Sequence, residues 1–415
     1  MDVKSSTVLK LRSTIQLTRE LASGDFPHSH SRDALLRIRD IFETGVARVE
    51  SLPEGVDPAI THALCASELR RIFSLYPILG FLLRSTDVRN AFEIHGPFLR
   101  IIQKVLGPDS KLVISSEWDF SPFTFLPPPE FALSDTVLIG VPTSEASNAL
   151  LIPLAGHELG HNIWTKQKWR DTFGPLLADV IVEHIAKDRW HEFSELFPHV
   201  KKPEFLKDLV GNQSWAPAWT WAIRQCEELF CDFIGLSIFR GSFAHASSYL
   251  ISPGLPVMRS VFYPGSKQRA IYLKQAADKH GIPLPAGYVD RFDNESEPTD
   301  QPQALLLSIA DHATSRLVPQ LIQEADDVIS GAGITAAAQD EIDRLVRCLS
   351  QCVPPQHAAG LPAIVNAAWQ FYLSGMEEWK EMYPDIAGSP QRLMEVLSDL
   401  VLKTIEVYEI DQRQL

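Results

Sequence analysis

The chain has little that would assign it a compartment or a macromolecular partner, and each gap excludes something. There is no block of five or six basic residues, and the formal net charge is -14. The electrostatic footprint of a nucleic-acid binder is therefore missing. No long apolar run occurs either: the longest, Ile72 to Leu83, is broken by Pro77 and is too short to cross a bilayer. The opening residues Met1-Asp-Val-Lys-Ser-Ser lack the apolar core and small-residue cleavage site of a secretory leader. The five cysteines, Cys65, Cys226, Cys231, Cys348 and Cys352, are odd in number and sparse, unlike the framework of a disulfide-stapled secreted domain. Reduced thiols in a cytoplasmic protein without a membrane span are the expectation. No internal repeat of fixed period is present, which argues against a solenoid.

What is present is concentrated at His157-Glu158-Leu159-Gly160-His161, preceded by the apolar or small residues 149 to 156. On a helix, His157 and His161 lie four apart and project from one face, where two imidazoles can grip one metal ion. Glu158 is placed to reach a water on that metal as a general base. A buried helix carrying these groups calls for a partner such as a metal. A catalytic zinc site also needs a third protein ligand and an open position. A metzincin-type continuation is excluded, since Trp164 and Gln167 stand where Gly and His would be required. In Arg224-Gln-Cys-Glu-Glu-Leu-Phe-Cys-Asp232, Glu228 and Asp232 again share one helical face. Glu228 would complete the ligand set, and Asp232 would accept the second ring N–H of a ligating histidine, His157 being preferred. Asp179 and Glu183 are competing third ligands, in the reverse order. Glu227, about 100° round the helix from Glu228, reads as a surface or cap residue. Cys226 and Cys231 read as small packing residues.

With these residues the sequence resembles the gluzincin zinc metallopeptidases, in which an HExxH helix is joined by a Glu-x-x-x-Asp helix. The resemblance implies that His157, His161 and Glu228 are zinc ligands, Glu158 the general base and Asp232 a support to the ligands. Tyr263-Pro264-Gly-Ser-Lys-Gln-Arg269 is similar to a His-Pro-x-x-x-x-Arg segment of some membrane and soluble gluzincins, with Tyr263 where that pattern has His. A phenol can donate to a developing oxyanion, and Arg269 can add positive charge nearby.

Around this centre the chain reads as α+β and predominantly helical. The expectation is a zincin-like catalytic core with a small, mainly antiparallel sheet and two helical flanking domains. Residues 1–107 form an N-terminal helical domain, with stripes at Leu11 and Ile15 and at Leu35, Ile38, Phe42 and Val46. Residues 108–280 form the metallopeptidase core, with strands near 111–118 and 136–141. The second strand, residues 136 to 142, is a candidate edge for an extended substrate, an internal structural strand being the alternative. The core carries an insert, 162–227, containing Trp164, Trp169, Trp190, Trp215, Trp219 and Trp221, for which packing is favoured over a lid. An acidic, exposed and mobile linker, 281–303, leads to a C-terminal helical domain, 304–415, whose last helix is capped by Ser389.

The function expected is zinc-dependent hydrolysis of a peptide or protein substrate, as an endopeptidase ahead of an exopeptidase. The helical flanks are available to a protein partner. Two rivals are a regulatory protein that keeps a structural zinc site, closed for instance by His245, and a metal-dependent amidase on non-peptide substrates.

Overall fold

A computed structural model describes residues 3–26, 28–53, 55–85, 91–117, 122–126, 133–142, 145, 148–251, 257–292, 295–355, 357, 360–384 and 390–414. Most of them are helical. The chain divides into two compact units, one of Met1–Gln103 with Gly107–Ser147, the other of Lys104–Leu106 with Asn148–Leu415. Among the described residues no helix is long and apolar enough to cross a membrane.

The first unit holds α1 (Val3–Ala22), α2 (Ser29–Glu50), α3 (Pro58–Phe73), α4 (Tyr76–Arg84) and, except for its last three residues, α5 (Ala91–Leu106), with three strands, β1 (Lys111–Glu117), β2 (Phe123–Phe125) and β3 (Thr136–Pro142). The expected stripes are its core: Leu11 and Ile15 meet Leu35, Ile38, Phe42 and Val46, joined by Phe81 and Leu82 and by Val113 and Leu138 of the sheet. The sheet departs from the mainly antiparallel expectation. Its order is β1-β3-β2, and the longer pairing, Lys111↔Thr136 through Glu117↔Pro142, is parallel. Only Phe123–Phe125 runs antiparallel, against Leu138–Gly140. The span 118–135 explains this, because a connection of more than a dozen residues lets the chain cross back into a parallel neighbour. β3 is consequently the middle strand, and Leu138–Gly140 are paired on both sides rather than free as an edge for substrate. The nearly continuous burial of Thr136–Pro142 fits that position.

The second unit begins with a 3-10 turn, Ala149–Leu154, before α6 (Ala155–Lys166). Pro153 lacks an N–H and disfavours α geometry in the residue before it, so the α-helical ladder starts beyond it. The helices α7 (Trp169–Lys187), α8 (Trp190–Leu196) and α9 (Leu209–Phe239) follow. After α10 (Gly241–Ile251) come β4 (Val257–Met258), α11 (Ser266–Lys279), β5 (Glu295–Ser296) and α12 (Gln301–Gly331). The unit closes with α13 (Gln339–Ser350), α14 (Leu361–Ser374), α15 (Met376–Met382) and α16 (Pro390–Gln414).

The central element of this unit is α9, packed by α6, α7 and α12. Gln225, fully buried on α9, donates to Asp311 of α12 (3.1 Å) and accepts from Thr314 (3.0 Å). The tryptophans of the insert do packing work. Trp164 stacks on Phe173 and tilts against Phe230, Trp215 donates to the Leu206 carbonyl, and Trp219 donates to the Gly174 carbonyl. The expected mobile linker is partly built in: β5 pairs with β4, Glu295 accepts from the Ser266 N–H and hydroxyl at the start of α11, and Asp300 caps α12. The Ser389 cap lies outside the described residues.

Candidate metal centre

The centre is made where α6 crosses α9, and glycine sets how closely they approach. A Cβ on Gly160 would lie 2.6 Å from the Cys231 Cα, and one on Gly156 would lie 3.0 Å from the Gly235 Cα. Advancing one turn along α6 corresponds to going back one turn along α9, so the helices run antiparallel. Any larger residue at these positions would push the backbones apart. Their closeness brings the polar face of α6 against Glu227, Glu228, Cys231 and Asp232, all buried.

The two histidines are held in matching ways. His157 Nδ1 lies 2.9 Å from Asp232 Oδ1, and His161 Nδ1 lies 2.9 Å from Glu227 Oε1. A carboxylate can only accept here, so each ring donates from Nδ1. Each Nε2 is left facing inward, at 3.3 Å (His157) and 3.9 Å (His161) from the two oxygens of Glu228. Behind the first carboxylate stands Arg269 of α11, which donates from Nε to Asp232 Oδ2 (2.6 Å) and from a terminal nitrogen to Oδ1 (2.8 Å). Behind the second stands Arg224, donating to Glu227 Oε2 at 2.8 Å.

The charge balance follows from burial and these pairs. Burial penalises ionisation of Asp232, but the charge and hydrogen bonds of Arg269, with those of His157, hold its carboxyl well below the usual range. Glu228 is also depressed, because His157 and His161 outweigh its burial. Glu158 goes the other way, raised by burial and by Glu228 against the opposing histidines. Burial disfavours a charged His157, yet its hydrogen bonds to Asp232 and Glu228 prevail and raise its pKa to about 10. A metal ion competes with that proton for the same nitrogen. The Tyr263 hydroxyl is raised first by the Glu228 charge and then by burial.

The donor set fits a metal ion. Two ring nitrogens with their opposite nitrogens tied to carboxylates have the support found around metal-ligating imidazoles. Two third donors are at hand. One nitrogen of each histidine and the Cys231 sulfur lie within 4.8 Å of one another, a group that could hold a metal ion. Glu228 offers both oxygens to the inward Nε2 atoms. Burial and the surrounding carboxylates push the Cys231 thiol well above its ordinary value, and its Cα, Cβ and sulfur already line the close approach to Gly160.

The structure thus brings together His157, Glu158, His161, Glu228, Asp232 and Arg269. Tyr263, 43 % exposed, lies with its ring 5.5 Å from the Arg269 guanidinium. Asp179 and Glu183 are exposed on α7, Glu183 paired with Lys187, and neither joins the centre. His245 stacks on Trp369 instead. Glu227 is not the surface or cap residue expected from its place on the helix: it is buried and bound to His161. Its signal was the doubled acid beside Glu228, which becomes informative only once a second histidine is known to face it. No protein-family profile, curated protein or solved structure matches the chain.

Proposed function

We propose that the protein is a zinc-dependent peptidase with a zincin-like centre of gluzincin type. The observation that carries this reading is the convergence of His157 Nε2 and His161 Nε2 on the Glu228 carboxylate, with Glu158 buried beside them. In it His157, His161 and Glu228 hold the metal. When bound, zinc supplies a Lewis acid that polarises a carbonyl and brings the pKa of a water to about 7.

The chain's own residues do the remaining work. Glu158, with its carboxyl raised by burial, accepts a proton from the attacking water and delivers it to the leaving nitrogen. Tyr263 presents a hydroxyl donor to the oxygen that gains charge. Asp232, clamped by Arg269, keeps the His157 ring turned with Nε2 inward. The test is hydrolysis of a mixed peptide library and of a panel of non-peptide amides, before and after chelation and after zinc is restored. Zinc-dependent peptide cleavage supports the reading, whereas cleavage of the non-peptide amides alone would assign the site to an amidase.

The proximity of Cys231 favours one second reading, a structural metal site with that thiolate as ligand. Zinc affinity separates the two. Peptidase chemistry predicts a large loss in Glu228→Gln and a small one in Cys231→Ser, and a structural thiolate site predicts the reverse.

A further inference from the structure

We infer that Glu227 is the positioning residue of His161, and that with Arg224 it forms a second support on the centre, matching Asp232 and Arg269 on His157. The inference rests on the metal-centre reading above and goes beyond it, because the Glu-x-x-x-Asp pattern accounts for only one of the two histidines.

Each histidine must do two things to bind a metal well: present one nitrogen free of a proton, and hold the ring plane still. A carboxylate on the opposite nitrogen does both, by fixing the proton at Nδ1 and by raising the basicity of Nε2. The 2.9 Å contact from His161 Nδ1 to Glu227 equals the one from His157 Nδ1 to Asp232. Glu227 is 6 % exposed, so water competes weakly for its oxygens, and its second oxygen is taken by Arg224. Glu228 cannot substitute for it, since its oxygens face the Nε2 atoms.

The two supports are built differently. Arg269 reaches Asp232 from another helix with two hydrogen bonds, and its side chain is only 18 % exposed. Arg224 reaches Glu227 from one turn back on the same helix with one bond, and its side chain is 46 % exposed. The His161 support is therefore a local property of α9, encoded by Arg224 and Glu227 three residues apart. A carboxylate serving only as the ion-pair partner of Arg224 would influence the stability of α9 and leave metal affinity alone.

The experiment is zinc affinity by chelator competition on the wild type, Glu227→Ala and Glu227→Gln, with thermal melting of each metal-free protein. The expected result is a loss in zinc affinity of about 10- to 100-fold for Glu227→Ala. Glu227→Gln should lose less, because an amide oxygen still accepts from Nδ1 but lacks the charge. The metal-free melting temperatures should change little by comparison. Should Glu227→Ala fail to fold, the near-isosteric Glu227→Gln decides. Wild-type zinc affinity in every folded variant would overturn the inference while leaving the metal centre intact. A wild type that takes up no zinc would instead overturn the metal-centre reading itself.

Discussion

At the scale of single residues, the centre places a buried carboxylate behind each imidazole and an arginine behind each carboxylate. Arg269 shows the consequence most clearly. Its Nε and one terminal nitrogen are committed to Asp232, so its charge reaches the centre through Asp232 and His157. Arg269→Ala leaves the buried Asp232 carboxylate with His157 but without its two-point guanidinium clamp, and breaking a buried pair of this kind costs about 3 to 5 kcal/mol. Chemical denaturation should show that loss together with weaker zinc binding. Arg269→Lys should recover only part of both, since an ammonium cannot reproduce the two-point contact. Much of this site was legible in sequence, because four-residue spacing on a helix fixes a shared face whatever the tertiary structure. That rule found His157 with His161 and Glu228 with Asp232. It could not find Glu227, which lies off the face shared by Glu228 and Asp232 and acquires its role only from the antiparallel crossing of α6 over α9.

At the scale of elements, the crossing depends on the absence of side chains at Gly156 and Gly160. The hypothetical Gly160 Cβ meets main chain and Cys231 together, so little can yield except the helices. Gly160→Ala is expected to destabilise the second unit by about 1 to 3 kcal/mol. It should also weaken zinc binding, because the proposed ligands come from both helices. Urea denaturation and chelator competition on the same variant check the two effects, and unchanged values in both would refute the packing account. The helices themselves were readable from apolar periodicity and turn residues. The sheet was readable only as strands: Thr136–Val141 has a β-branched, apolar composition, but nothing in either strand's composition says whether β1 joins it parallel or antiparallel. Pairing on both sides of Leu138–Gly140 removes that stretch as an edge for a substrate.

At the scale of the whole molecule, the two units carry different sensitivities. In the first, His95 is buried, donates from Nε2 to the Leu112 carbonyl at 3.1 Å and stacks on His28, with His30 nearby. Burial, then His28 and His30, lower its pKa to about 3, while the Leu112 carbonyl opposes the shift. A histidine kept neutral in the folded state and ordinary when unfolded favours the unfolded state as protons are added. The contribution is fully present above pH 6.5, is lost progressively as pH falls, and levels off near pH 3. By pH 4.5 the loss is about 2 to 3 kcal/mol. His95→Gln keeps a donor for Leu112 and cannot titrate. Urea denaturation should therefore show the variant gaining on the wild type between pH 7.5 and pH 4.5, and parallel pH profiles would contradict this.

Zinc content and peptide hydrolysis, measured together on the wild type, Glu158→Gln and Glu228→Ala, decide whether the second unit holds a peptidase centre. A peptidase centre should give one zinc per chain in the wild type and in Glu158→Gln, loss of zinc in Glu228→Ala, and cleavage by the wild type alone. Peptide cleavage retained by Glu158→Gln, or zinc retained at wild-type affinity by Glu228→Ala, would contradict it.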